Sequence, residues 1–246
     1  MRLLLEVAEP ESKRVRRLRI RGLNLYDYEK VLKYWNGVFS SEDAPPVSSP
    51  NMGNDALDKA LDWLCKGAET VLDFGCGSGA CLYKCCLRGT RGHVGIDLSD
   101  EAIKAARERL AGGPEGEFDF MVGGVSALES IPAKSADALL LFNIVDNLIP
   151  EDSIKLLENV SRIAANGAKA LIKLNPFITK EQMELWGVKV LEGDLLDDGL
   201  YLWNQSTEDW KRLFKNYFII DGYEDIYYPE HDQYNRLFRL IACSRF

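Results

Sequence analysis

The chain has 246 residues, 46% of them apolar and 28% charged, enough for one large domain with a full core and ordinary for a folded globular protein. Thirty basic against 38 acidic residues leave a net charge of −8, a balance that repels phosphate backbones and argues against a nucleic-acid partner. The longest apolar stretch, 138–145, is too short to cross a bilayer, and the first apolar run meets Glu6 too soon to form a signal-peptide core, so a cytoplasmic protein without membrane association is expected.

From the N-terminus, residues 3–7 and 15–20 are apolar-rich pieces separated by a turn signal at 10–12. Lys13, Arg14, Arg16, Arg17, Arg19 and Arg21 form a basic run that leaves 24 basic against 38 acidic residues elsewhere. Such a run serves an anionic substrate or RNA, or it is a solvated face paired with the chain's own acidic surface; the global charge favours the second. Residues 26–39 show helical spacing, with Val31, Leu32, Trp35 and Val38 on one face. The stretch 40–53 holds Pro45, Pro46, Pro50 and several serines and reads as a loop. Residues 1–54 are therefore an N-terminal extension, either a lid or packed core, and 55–246 the main domain.

After the loop the elements alternate. Helices are predicted over 55–65, 79–87, 101–110 and 153–164, and strands over 70–74, 93–96, 118–122, 136–143 and 168–174, with Gly167 as a helix-ending glycine. Near-continuous apolar strands alternating with helices mean a parallel sheet covered on both faces. Thr207 is the expected N-cap of a helix over 208–216. Strands over 218–226 and 237–244 then follow without a helix between them, so a hairpin closes the sheet. The six cysteines lack the paired spacing of a structural zinc site, and His93 and His231 stand apart from them; free thiols and no metal are expected.

Residues 71–79 read VLDFGCGSG. A buried strand runs into a turn whose Gly75, Gly77 and Gly79 permit a tight path and close approach of a ligand, and the amides of the helix start favour an anionic group. The next strand ends at Asp97, where a carboxylate can accept both hydroxyls of a ribose. A nucleoside-bearing cofactor is expected at the carboxyl ends of the strands. Gly75, Gly77 and Ala80 also satisfy the loose dinucleotide pattern. Asp73 speaks against it: a carboxylate two residues before the first glycine repels a pyrophosphate and suits an ammonium or sulfonium group.

VLDFGCGSG followed by GIDLS at 95–99 resembles the cofactor site of the class I S-adenosylmethionine-dependent methyltransferases, and the resemblance runs over residues 55–246. It implies an α/β three-layer sandwich with a seven-stranded, mostly parallel sheet and an antiparallel final strand, plus the N-terminal extension. It implies methyl transfer from S-adenosylmethionine, leaving S-adenosylhomocysteine. By resemblance, Asp73, Gly75, Cys76, Gly77 and Gly79 hold the methionine part, Asp97 the ribose, and Leu98 the adenine; Asn143 stands near the cofactor. The family often has an acidic residue in the turn after the third strand. Here that turn reads Gly123-Gly124-Val125-Ser126, so adenine recognition falls to backbone groups at Val125 and the Ser126 hydroxyl.

Two candidates for acid–base work remain. Asp146, with Asn147, follows the fourth strand, where it either meets the substrate or caps the next helix. His231 lies between the final two strands; the strand before it runs parallel to its neighbours, so the connection starts on the cofactor side, and its imidazole titrates near neutral pH. The expected methyl acceptor is a small molecule, with a basic protein as the other option. The alternatives are a non-catalytic cofactor-binding module and a nicotinamide-dependent dehydrogenase.

Overall fold

The computed structural model describes residues 19–20, 23–24, 28–41, 49–229 and 232–243. Two short strands, β1 (Arg19–Ile20) and β2 (Leu23–Asn24), pair antiparallel ahead of helix α1 (Tyr28–Ser41). Then follow α2 (Asp55–Cys65), β3 (Thr70–Phe74), α3 (Ala80–Cys86), β4 (Gly92–Asp97), α4 (Asp100–Leu110), β5 (Glu117–Val122), a 3-10 turn (Val125–Ser130), β6 (Ala136–Phe142), α5 (Pro150–Ile163) and β7 (Ala164–Leu174). The sequence-read helices and strands of this stretch are all present, with ends moved by a few residues. The exception is Gly167, which lies inside β7 with φ +75° and does not end α5.

The main sheet has the order β11-β12-β7-β6-β3-β4-β5, where β11 is Phe218–Tyr228 and β12 Gln233–Ala242. β3 to β7 run parallel; β12 pairs antiparallel with both β7 and β11. This is the expected seven-stranded sheet with a reversed final strand. Period-2 alternation sends side chains to two cores. In β6, Leu139 and Leu141 join Trp210, Phe214 and Phe238 on one face, while Ala138 and Leu140 join Leu61, Leu64, Leu82 and Ile103 on the other. Helix starts are fixed by side-chain caps: Asn54 Oδ1 accepts from the amides of Ala56 and Leu57, and Ser99 Oγ from that of Ala102.

Between β7 and the last helix sits a unit absent from the sequence reading. It consists of α6 (Lys180–Trp186) and the antiparallel sheet β8 (Lys189–Glu192), β9 (Leu195–Asp197) and β10 (Tyr201–Trp203). Leu195 and Leu196 face opposite small cores, with Ile149 and Tyr201 on one side and Ile178 and Leu202 on the other. Asn204 exchanges two hydrogen bonds with the backbone of Ile178 and pins both ends of the unit. Helix α7 (Thr207–Phe214) follows; its N-cap is Ser206, not Thr207, because the Ser206 hydroxyl reaches the amide of Asp209. No helix among the described residues is long and apolar enough to cross a membrane.

Candidate functional site

The parallel strands place the ends of β3, β4, β6 and β7 side by side, with the glycine turn between β3 and α3. Gly75, Gly77 and Gly79 have φ of +80°, +52° and +73°, values that disfavour any side chain. Crowding adds to this at Gly77, where a Cβ would stand 3.1 Å from the ring of Phe39, and at Gly79, where it would meet Leu110 and Phe120. The turn uses its own amides. Those of Gly75 and Cys76 donate to the Ile96 carbonyl, that of Gly79 to the Cys76 carbonyl, and that of Gly77 to Asp97 Oδ2 at 2.9 Å. These four turn amides, all ahead of the first residue of α3, are therefore already satisfied. A pyrophosphate would meet spent donors and two carboxylates.

Asp73, at the end of β3, is 3% exposed. Burial pushes its carboxyl up to about 8, and Asp97 adds like-charge repulsion. No cation pairs with it among the described residues. Asp97 is also raised by burial, against which the amides of Ser99, Gly77 and Leu98 pull it down. Its Oδ1 accepts from Ser99 N–H at 2.9 Å, so the residue joins the turn to the start of α4. Cys76 is a buried filler whose thiol is pushed far up by burial and by both carboxylates; it is no nucleophile at neutral pH. Leu98 lies 3.9 Å from a Cβ placed on Gly124, which brings it beside the Val125 and Ser126 turn. Val125 is half-buried and Ser126 exposed.

The other half of the site follows β6. Asn143 has φ +52°, a left-handed conformation uncommon outside glycine. Ile144 packs 3.3 Å from a Cβ placed on Gly75, so this loop lies against the glycine turn. Asp146 is fully buried, and burial raises its carboxyl to about 6 against the pull of the Asn175 amide and Arg236. Neither Asp146 nor Asn147 caps α5: its N-cap is Ile149, with Pro150 in the first helical position. His231 lies outside the described residues. The β11–β12 connection begins on the cofactor side, as β11 runs parallel to β7.

Several residues here were not singled out from sequence. Lys173 on β7 sits over the rings of Phe142 and Tyr228 and donates to Tyr228 Oη at 3.3 Å, with its pKa drawn down by burial. A lysine that recurs four residues after Lys169 in a mostly apolar strand was the available signal. Asn175 and Arg236 gave none, since their burial exists only in the fold. Helix α1 spans the mouth. Phe39 lies on Gly77, Asn36 bonds Ser99 Oγ at 2.6 Å and Asp100 Oδ1 at 2.8 Å, and Tyr28 Oη accepts from the amide of Ile149. Lys30 pairs with Asp197 at 2.8 Å. A separate cleft of about 500 Å³ at the other end of the strands is lined by Thr70, Gly92, His93, Glu117 and Pro132. His93 there is spent on Thr90 and the Glu117 carbonyl. No group of three or more ligating side chains suited to a metal occurs among the described residues.

A buried carboxylate without a cation, a second carboxylate at the next strand end and spent turn amides fit a ligand carrying positive charge and a vicinal diol. S-adenosylmethionine has both. A family model described as a methyltransferase domain matches residues 71–167. Ribosomal protein L11 methyltransferase of Neisseria meningitidis serogroup B is 33% identical over 81 residues, 28% of this chain and 28% of that protein. Arsenite methyltransferase of Halobacterium salinarum is 32% identical over 158 residues, 58% of this chain and 38% of that protein. The chain thus spans well under half the length of these curated relatives. N-methyltransferase NodS from Bradyrhizobium japonicum WM9, solved with S-adenosylhomocysteine, superposes with a TM-score of 0.64 at 13% identity, covering 87% of this chain and 98% of that one. The PH0226 protein from Pyrococcus horikoshii OT3 gives 0.61 at 19% identity, covering 84% and 98%; both are likenesses of fold. The matched methyltransferase domain spans the glycine turn, Asp97 and β6, and the strand order is that of a Rossmann-like fold, so this part of the chain is similar to the S-adenosylmethionine-dependent methyltransferases.

Proposed function

We propose that the chain methylates a small molecule held between the glycine turn and helix α1. The observation behind this reading is the roof formed by α1: Phe39 lies on Gly77, Asn36 is tied to Ser99 and Asp100, and Tyr28 to Ile149. A space closed in this way suits a compact substrate better than a folded protein surface, and residues 1–54 then serve as a lid on the domain 55–246.

When bound, S-adenosylmethionine supplies an electrophilic methyl group on a positively charged sulfur. The chain's own residues do the rest. Asp73 would face the cationic methionine part, Asp97 the ribose hydroxyls, and Leu98, Val125 and Ser126 the adenine. The α1 roof excludes water, so the rate comes chiefly from alignment in a dry site. His231 is proposed as the proton acceptor for substrates that must lose one before attack.

The test is methyl transfer from radiolabelled S-adenosylmethionine into a cell extract split by size. Label in the fraction below a few kilodaltons supports the reading. Label confined to protein would move the substrate to a basic protein, and tight S-adenosylhomocysteine binding without any labelling would make the chain a binding module.

A further inference from the structure

Asn175 joins three other polar side chains, Asp146, Asn147 and Asn143, beside the loop that follows β6. Asp146 Oδ2 accepts from the backbone amide of Asn175 at 2.7 Å and from Asn175 Nδ2 at 3.2 Å. Asn175 Nδ2 also donates to Asn147 Oδ1 at 2.7 Å, and Asn143 Nδ2 donates to Asn175 Oδ1 at 2.8 Å. Arg236 Nε donates to the Asn175 carbonyl at 2.9 Å and fixes its backbone.

The polarity of this network is forced. Side-chain amides are ordinarily ambiguous in orientation, but an ionised carboxylate only accepts. The NH2 of Asn175 must therefore face Asp146, which turns the Asn175 carbonyl to Asn143. That carbonyl takes the NH2 of Asn143 and leaves Asn143 Oδ1 without a donor from this network. Asn143 Oδ1 is buried and has no hydrogen-bond partner among the described residues. A buried carbonyl oxygen without a donor is uncommon in a native fold and needs a reason. The left-handed backbone of Asn143 is a second cost at the same residue. The loop carrying it packs on Gly75 through Ile144.

Resting on the methyltransferase reading, we propose that Asp146 and Asn175 are positioning residues that fix Asn143 Oδ1 as a hydrogen-bond acceptor at the transfer centre, and that the substrate is an amine whose N–H donates to it. The amine lone pair forms the new C–N bond as the C–S bond breaks. The C–S electron pair passes to sulfur, and the methylated ammonium product sheds one proton to solvent when the site opens. With one N–H held by Asn143, the lone pair is aimed at the methyl carbon.

The probe is sinefungin, in which an amine-bearing carbon replaces the methylated sulfur, compared with S-adenosylhomocysteine by calorimetry. The wild type is expected to prefer sinefungin by roughly tenfold or more, the value of a hydrogen bond to a charged donor. Asn143→Ala and Asn175→Ala should abolish that preference while S-adenosylhomocysteine affinity changes less than about threefold. Asp146→Asn, whose amide oxygen can still face the Asn175 N–H groups, should retain it. Four results overturn the proposal: no preference in the wild type, its persistence in Asn175→Ala, its loss in Asp146→Asn, or an equal loss for both ligands in Asn143→Ala, which would assign Asn143 to the methionine ammonium. Failure of the wild type to bind S-adenosylhomocysteine at all would instead overturn the methyltransferase reading.

Discussion

Asp73→Asn separates what the apo fold needs from what the cofactor needs. The carboxyl of Asp73 is raised from 3.8 to about 8, so between those values the native chain holds a proton that the unfolded chain has released. Stability must then fall as pH rises through that window, by about 1.4 kcal/mol per pH unit, and level off above pH 8. The accumulated cost is on the order of 5 kcal/mol, a large share of a domain's usual margin. Asparagine removes the titration but leaves a buried amide to satisfy, at roughly 1–3 kcal/mol. The variant should therefore match the wild type near pH 5 and exceed it by roughly 2–4 kcal/mol at pH 8.5, read from denaturant midpoints. Cofactor binding should move the opposite way. A cation at Asp73 requires the ionised form, so at pH 7 the wild type releases close to one proton on binding S-adenosylhomocysteine, through its ammonium. Calorimetry in buffers of different ionisation enthalpy measures that proton, and the variant should release none and bind about ten- to a hundredfold more weakly. Equal stability of the two proteins at pH 8.5, together with unchanged affinity, would refute the reasoning.

Asp97→Ala removes the proposed ribose contact along with the bonds to Gly77 and Ser99; S-adenosylhomocysteine affinity should fall about ten- to a hundredfold, with a lower melting temperature, and unchanged binding would remove the ribose assignment. Gly77→Ala places a methyl 3.1 Å from Phe39 at φ +52°; a loss of roughly 1–2 kcal/mol is expected, and Phe39→Ala in the same chain should restore only the steric part. His231→Ala should lower turnover far more than cofactor affinity and strip the histidine-like limb from the pH–rate profile; full activity would leave alignment alone to explain the rate.

The main sheet was legible because its signals are long and redundant. The segment 138–142 is apolar at every position, as a strand buried on both faces requires, and the glycine turn combines three positive-φ positions with a carboxylate on each side. Signals failed where they were short or tertiary. Strands β8 to β10 are three or four residues long, and α6 buries none of its residues, so neither period had room to appear. Ser206 and Thr207 both carry a hydroxyl, and only the fold decides which one reaches Asp209. Asn175 and Arg236 are 61 positions apart, and each alone reads as an ordinary polar residue at a strand end. Asp146 read evenly as a substrate contact or a cap; the fold makes it neither a cap nor an exposed group.

The contacts of α1 bear on how a closed site exchanges its ligands. The helix is about 20 Å long and is tied to the domain by polar bonds, Asn36 to Ser99 and Asp100, Lys30 to Asp197 and Tyr28 to Ile149, and by packing of Tyr28 and Val31 on Ile149, Leu195 and Tyr201. Lys30 is nearly half exposed, and a pair of that kind contributes roughly 0–1 kcal/mol. The neutral hydrogen bonds contribute roughly 0.5–1.5 kcal/mol each. Phe39 supplies an apolar contact, on a glycine that offers no side chain. Opening the roof gives up these bonds and the packing of Tyr28, Val31 and Phe39, while the sheet beneath it, with its two cores, stays intact. The glycine at 77 then has two uses: it permits the turn and gives the Phe39 ring a flat seat that it can leave. On the proposed reading, opening admits the cofactor, and a cation paired with Asp73 then removes the largest electrostatic penalty in the closed state, so binding and closure favour each other.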